Sequence, residues 1–198
     1  RFILGCECRH FCSMDWRAKS CEALREGRSQ AVLFQDGQNS LMTFEILKLL
    51  RDVCARDPEA QCLLICEKSQ LRNPNVAHAV LLEDPKLDEA LRRVHIKYVG
   101  PEAPTEPLLG LHLLPFRPRV VACGAPLDKD RELCLCASLL LDACGQLAQQ
   151  SSEPCAALFY DASSVRARSA ESFLGAIFPQ TLLLRQQGER FCAEAAFP

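Results

Sequence analysis

Residues 31–66 read AVLFQDGQNSLMTFEILKLLRDVCARDPEAQCLLIC and alternate between two structural patterns. Ala31 to Phe34 is a short apolar run, followed by a polar turn. Apolar residues then recur at spacings of three and four, which is typical of one face of an α-helix. This helix is predicted to end near Pro58, because proline disfavours helix in the residue before it. Cys62 to Cys66 is continuously apolar, like a strand buried on both faces. The stretch therefore predicts a strand, a helix and a second strand.

The same alternation continues to the end of the chain. Strands alternating with helices predict βαβ units and a mainly parallel sheet, and therefore an α/β fold. The apolar segment 108–114 fits either a helix or a strand, and two short runs around Gly188 predict a closing hairpin. The other predicted elements are a short helix at 87–94, strands at 94–98, 119–124 and 155–160, a long amphipathic helix from about Lys129 to Gln150, and a helical turn at 172–177.

Composition limits the class of protein. The chain has 198 residues, of which 48% are hydrophobic and 24% charged, so it is typical of a folded globular protein and not of a disordered one. Its formal net charge of -2 argues against a strongly basic nucleic-acid-binding protein, although it leaves room for a local basic patch. No apolar run approaches the roughly 18–20 residues that span a bilayer, so we expect no membrane partner.

Cysteine is unusually frequent. The thirteen cysteines are an odd number, so a complete disulfide scheme would leave at least one thiol unpaired. Most of them lie in apolar segments, where free cysteine behaves as a small hydrophobic residue. The cysteines therefore predict a reduced, intracellular protein.

Residues 1–29 are predicted to form a short Cys-rich N-terminal strand or extension, separate from a domain at 30–198. Cys6, Cys8, His10 and Cys12 occupy alternate positions, and alternate residues of a strand share one face. These four residues are candidate zinc ligands. Their spacing is tighter than the paired knuckles of most zinc sites, so we expect a half-buried strand without metal, with a zinc site as the alternative.

The turn at 35–43 has the layout of a phosphate-binding loop, which needs glycine, lysine and a hydroxyl residue. Gly37, Ser40 and Thr43 are the candidate nucleotide-binding residues. However, Met42 stands at the lysine position and Leu41 at the preceding glycine position. Methionine cannot neutralise phosphate charge, so the segment fits either a degenerate phosphate loop or a plain strand-to-helix turn.

The strand at 119–124 lacks a second part of a nucleotide-hydrolysing site. A hydrolase would end this strand in an acidic residue that holds magnesium, whereas this chain has Cys123 and Gly124, with Asp128 and Asp130 several residues later. The joint loss of cation and acid predicts a non-catalytic domain with no cofactor, or with ATP bound weakly and not hydrolysed. An active ATPase with an unorthodox loop is the alternative.

The order of these segments resembles a RecA-type ATPase core. More narrowly, it resembles the RecA-like subunit of the animal Shu complex, a recombinase-paralogue-like family associated with a SWIM zinc-finger protein in homologous recombination. The likeness covers about residues 30–198. It is carried by residues 31–43, 60–71 and 91–98, by Leu139 to Asp142, and by Ile177 to Pro179.

This resemblance implies a DNA-binding surface. In RecA-like folds the loops after the two central strands approach single-stranded DNA, which implies contacts from Lys129, Arg131, Arg166 and Arg168. Arginine and lysine suit such contacts, because they bind phosphate and release counterions.

The resemblance also implies partners. We expect a nuclear hetero-oligomer that binds a SWIM-type zinc-finger protein, a RecA-type recombinase and single-stranded DNA, and that promotes assembly or stability of recombinase filaments. The N-terminal strand and the exposed edge of the sheet are candidate partner surfaces, because edge strands pair readily with other chains. A RecA-like scaffold subunit of a complex that does not bind DNA, such as Elongator, is a further alternative.

Overall fold

The computed structural model describes residues 13–35, 39–71, 85–100, 105–124, 130–161, 173–187 and 190–196. From α1 to β3, and from β4 to β5, its longer elements alternate between helix and strand, as the apolar pattern predicts. In chain order they are α1 (Ser13–Arg25), β1 (Gln30–Gln35), α2 (Asn39–Arg56), β2 (Cys62–Glu67), α3 (Pro85–Arg92), β3 (Val94–Val99), β4 (Val120–Gly124), α4 (Asp130–Ser151), β5 (Ala156–Asp161), β6 (Gln180–Gln187) and β7 (Arg190–Ala196).

The strands form one sheet in the order β3-β2-β4-β5-β1-β6-β7. The first six strands in this order are parallel, and β7 pairs with β6 in the antiparallel direction. The predicted α/β class, the mainly parallel sheet and the closing hairpin are therefore confirmed. The sheet with its flanking helices is consistent with a RecA-like fold. In this order β5 separates β1 from β4, while β3 and β7 are the outermost strands of the sheet.

Two hydrophobic clusters cover the two faces of the sheet. One cluster joins alternate strand residues such as Leu64 and Leu158 to α1, α2 and α3. The other joins the intervening strand residues, such as Leu63 and Phe159, to α4. Both faces of the central strands are therefore buried, which explains why β2, β4 and β5 are apolar at every position before their last residue instead of alternating.

The end of α2 is determined by chemistry outside the helix. Proline at position 58 prevents continuation of the helix. The guanidinium group of Arg93 donates hydrogen bonds to the carbonyl oxygens of Cys54, at 2.6 Å, and Asp57, at 2.8 Å. Cys54 lies in the last turn of α2, whose carbonyl groups lack partners within the helix. Asp57 follows the helix directly, and its carbonyl also accepts a hydrogen bond from the backbone amide of Ala60. Arg93 therefore anchors the end of α2 to the start of β3.

Helix α1 was not among the predicted elements. Trp16 and Leu24 are buried in the same cluster as α2, and α1 also contacts β7. The residues for which the sequence predicted a strand, including Cys6, Cys8, His10 and Cys12, lie outside the described residues. The division at residue 30 stays a prediction.

The ambiguous segment 108–114 is helical. A short helix covers Glu106–Leu109, and a single 3-10 turn covers Leu111–Leu113. Residues 173–177 form a helical turn, close to the predicted position. Across the described helices, none has both the length and the apolarity that a membrane crossing requires.

Candidate functional site

The carboxyl edge of the parallel sheet is the first place to look for a site, because open α/β sheets bind ligands there. At this edge β1 ends at Gln35 and α2 begins at Asn39. Gly124 ends β4, and Asp161 ends β5. The edge therefore contains the end of β1 and the start of α2, between which the sequence predicts a phosphate loop, and the end of β4.

Tyr160 occupies the space between these two segments. Its side chain is completely buried, and its ring lies so close to Gly124 that a Cβ atom built on that glycine would overlap the ring. Its hydroxyl lies 3.5 Å from Oγ1 of Thr43, to which it donates a long hydrogen bond. Tyr160 therefore links β5 to the first turns of α2 and fills the volume above the end of β4.

The surroundings of Tyr160 contain buried groups that stay neutral. Burial is the largest influence on Tyr160 and raises its pKa well above the usual value of 10.0; nearby Cys66 and Cys123 raise the pKa further, and the Thr43 hydrogen bond lowers it. Burial also raises the pKa of the Cys66 thiol to about 12. Desolvation disfavours a charged form at each of these groups, so this part of the edge is poorly suited to hold the charges of a triphosphate.

The candidate nucleotide-binding residues have different positions. Gly37 lies outside the described residues, and Ser40 is the second residue of α2. Thr43 is buried against Tyr160, so its hydroxyl faces a phenol and not an open cleft. Met42, at the position of the phosphate-binding lysine, is completely buried in the α2 cluster. The side chain at the position where a phosphate loop would have its lysine therefore packs inside the protein.

Asp161 was not identified from the sequence. It is a buried carboxylate at the end of β5, and its Cα is paired with that of Leu33 in β1. An acidic residue directly after a continuously apolar strand was the available signal, because such positions reach the ligand-binding edge. Its position next to β1 makes it the acidic group to test in any nucleotide chemistry at this edge.

Of the candidate DNA-binding residues, the structure describes Arg131 alone. Its side chain is exposed in the first turn of α4, directly after the loop that follows β4. A helix N-terminus favours anions, so an arginine there lies in a suitable place for a phosphate contact. Lys129, Arg166 and Arg168 lie outside the described residues.

Nine cysteines are free thiols, and eight of them are buried: Cys21, Cys54, Cys62, Cys66, Cys123, Cys136, Cys144 and Cys155, with Cys134 partly buried. Two pairs join a helix to a strand: Cys54 and Cys62 have their sulfur atoms 3.6 Å apart, and Cys123 and Cys136 have theirs 3.7 Å apart. A search of the described part of the chain finds no cluster of three or more histidine, cysteine, aspartate or glutamate residues able to hold a metal ion. These buried thiols therefore act as small core side chains.

A cavity of about 410 Å³ lies at the opposite, amino edge of the sheet. Trp16 and Ser20 of α1 line it, together with Gln30 at the start of β1 and Thr181 near the start of β6. The sequence did not reveal this cavity, because its walls come from segments about 150 residues apart.

Compared with known proteins, the chain matches no family model and no curated protein.

Proposed function

We propose that this protein is a non-hydrolysing RecA-like subunit that works by binding other macromolecules. The buried contact of Tyr160 with Thr43 and Gly124 carries this proposal, because the phenol fills the place where a hydrolase would bring magnesium and phosphate together. By its resemblance, the chain binds a SWIM-type zinc-finger protein and a RecA-type recombinase in the nucleus. With them it supports recombinase filaments on single-stranded DNA.

The missing cation supports the non-catalytic part of the proposal. Phosphoryl transfer depends on positive charge that stabilises the transferred group, supplied by a lysine and a magnesium ion. Met42 supplies no charge and is buried in the core, while β4 ends in Cys123 and Gly124 without an acid. The chain therefore lacks both groups in the places where this fold would use them.

Two surfaces support the binding part. Arg131 is exposed at the start of α4, where the resemblance implies DNA contacts together with Lys129, Arg166 and Arg168. At the β3 edge of the sheet, Ile96 is 39% exposed and Tyr98 is 50% exposed. An edge strand with exposed apolar residues is suited to pairing with a partner chain, and we assign the SWIM-type partner to it.

Nucleotide chemistry is tested by phosphate release from ATP and magnesium, with the purified chain compared to Thr43→Val and Asp161→Asn. We expect the three proteins to release phosphate equally slowly, at the rate of a blank. Release by the wild type that both substitutions abolish would overturn the proposal. It would favour the alternative, an ATPase in which the buried carboxylate of Asp161 replaces the missing acid of β4.

DNA binding is tested with the chain purified together with its partner and with a fluorescent single-stranded oligonucleotide. The double variant Arg166→Ala/Arg168→Ala should bind DNA more weakly, and the logarithm of its affinity should depend less on the logarithm of salt concentration, by about 1.4 in slope. Arg25→Ala/Arg56→Ala is the matched control, since both arginines are exposed and lie in the last turns of α1 and α2. Equal affinity of the two double variants at low salt would reject the site.

Partner identity is tested by affinity purification and mass spectrometry of wild type and Tyr98→Lys. We expect a SWIM-type protein and a recombinase with the wild type, and loss of the SWIM-type protein with the variant, because a charge replaces the exposed aromatic ring. Recovery of Elongator subunits instead would assign the chain to a scaffold that does not bind DNA.

A further inference from the structure

The cavity at the amino edge of the sheet has an unusual lining. Trp16 and Ser20 face it from α1, Gln30 from the start of β1, and Thr181 from β6. Leu182 and Ala193 complete it with apolar walls. Its volume of about 410 Å³ lies in the range of small-molecule sites and is much larger than one water molecule needs.

Four polar atoms in this lining have no hydrogen-bond partner in the described part of the chain: Nε1 of Trp16, Oγ of Ser20, Oε1 of Gln30 and Oγ1 of Thr181. Each of the four side chains is at most 4% exposed. Buried polar groups are nearly always paired in folded proteins, because an unpaired group loses its hydration without compensation. Four such atoms around one cavity indicate an occupant that supplies the missing partners.

The four atoms define what the occupant must offer. The indole N–H of Trp16 only donates, Oε1 of Gln30 only accepts, and the two hydroxyls do either. The orientation of the Gln30 amide is held by Gln180, which also lines the cavity, because Nε2 of Gln30 donates to Oε1 of Gln180 at 2.5 Å. The occupant therefore needs an acceptor for the indole and a donor for the glutamine oxygen.

The interior of this cavity is poorly suited to an occupant that carries a charge. The charged residues of its lining, Lys19, Glu22 and Arg28, are exposed and carry both signs. Arg28 forms an ion pair with Glu26 at 2.6 Å. A charged group buried among the four neutral side chains would lose its hydration without an opposite charge. An uncharged occupant fits the interior.

We propose that this cavity is a binding site for a small, uncharged organic molecule that carries a carboxamide or lactam group. Such a group has a carbonyl oxygen for the Trp16 N–H and an N–H for the Gln30 oxygen. The Ser20 and Thr181 hydroxyls bind its remaining polar positions, and Leu182 and Ala193 contact its apolar part. The proposal is independent of DNA, of nucleotide and of any protein partner.

Ligand-observed NMR on the full chain tests the proposal with four probes. Nicotinamide represents carboxamides, uracil represents lactams, toluene is an apolar control of similar size and acetate is an anionic control. We expect nicotinamide and uracil to bind and to compete with each other, and the two controls not to bind. The proposal is wrong if neither amide binds, which would mean that the cavity holds only water, or if toluene binds as well as the amides.

Variants connect binding to the cavity. Thr181→Val keeps the side-chain shape and removes one hydroxyl, and Trp16→Phe removes the indole N–H; each should weaken amide binding roughly three- to tenfold. Ala193→Leu should fill the cavity and abolish binding. Thr105→Val is the control, because Thr105 forms no side-chain cap on its short helix and does not line the cavity. Amide binding that Thr181→Val and Trp16→Phe leave unchanged would overturn the proposal, even if Ala193→Leu does not fold.

Discussion

The carboxyl edge and the amino edge of the sheet differ in how tightly side chains fill the space there. At the carboxyl edge, where this fold places its ligands, the ring of Tyr160 fills the space between α2 and Gly124. At the amino edge, Trp16 and Thr181 face a cavity whose polar atoms lack hydrogen-bond partners among the described residues. One edge is packed like a core, and the other has the chemistry of a binding site.

This difference shows that the fold alone does not determine where a binding site lies. A sheet positions side chains at both of its edges, and the packing of a few of them decides which edge is open. Here a single aromatic residue closes the expected edge, while a tryptophan and two hydroxyl residues leave the other one open. The fold therefore predicts where a ligand could bind, but only the side chains show where there is room.

A substitution of Tyr160 should have the largest effect on stability among the tests of this difference between the two edges. Tyr160→Ala should lower the free energy of unfolding by about 3–5 kcal/mol, because it leaves a cavity of aromatic size in a completely buried place. Urea denaturation measures this change. Tyr98→Ala is the control, since Tyr98 is half exposed on β3 and should change stability by at most about 1 kcal/mol. Similar losses in both variants would mean that the carboxyl edge is not tightly packed.

Gly124 tests the same packing from the opposite side of the contact. Gly124→Ala should cost about 1–3 kcal/mol or more, because the added methyl group overlaps the ring of Tyr160. The backbone of Gly124 has no positive φ, so the loss would come from the contact and not from backbone strain. Gly145→Ala is the matched control: it lies within α4 with open space around it, and should gain about 0.5–1 kcal/mol. Equal effects at both glycines would contradict the contact.

Alkaline pH sharpens the comparison, because the carboxyl edge contains two buried groups with raised pKa values, Cys66 and Tyr160. Burial raises the pKa of Cys66 from 9.0 to about 12, so between these values the unfolded chain ionises while the folded chain does not. The free energy of unfolding should therefore be unaffected by this thiol below pH 9. Above pH 9 it should fall by about 1.4 kcal/mol per pH unit for each such thiol.

Denaturation of wild type and Cys66→Ala at several pH values between 8 and 11 measures this contribution. The variant should have a shallower slope above pH 9, and the difference should vanish below it. Identical slopes would show that Cys66 is accessible to water in the folded protein. Tyr160 adds to the wild-type slope above pH 10, since burial raises its pKa as well.

The smallest effects come from a pair of threonines, one at each edge. Thr43→Val removes the acceptor of the Tyr160 hydroxyl and should lower stability by about 1 kcal/mol. Thr181→Val removes a buried hydroxyl that has no partner in the described residues, so without ligand it should raise stability by a similar amount. Thermal unfolding of the two variants should shift in opposite directions. A loss in both would mean that Thr181 is already hydrogen-bonded.

Much of the fold was predictable because its signals are local. The spacing of Met42, Ile46 and Leu49 predicts α2, and the unbroken apolarity of residues 62–66 predicts a strand buried on both faces. The sequence does not predict α1, because the buried face of this helix includes Ser20 as well as Trp16 and its apolar pattern is therefore weak. In addition, the alternating cysteines before it favour a strand.

The candidate sites were less predictable because they depend on strand order. The sequence shows that a phosphate loop here would have Met42 at its lysine position, and that no acid directly follows Cys123. It does not show that Tyr160 fills the space between α2 and Gly124, since this requires β5 to lie between β1 and β4. The amino-edge cavity depends on the pairing of β1 with β6, which places Gln30 beside Gln180 across 150 residues of chain.

The fit of Tyr160 over Gly124 also governs what this protein can become. An aspartate introduced at position 124, as a first step towards magnesium binding, would collide with the aromatic ring, and a smaller residue at position 160 alone would leave a void. Each substitution by itself is expected to destabilise the protein, so an acidic residue fits at this place only if both positions change together. A design that aims at catalysis on this scaffold should therefore change positions 124 and 160 together.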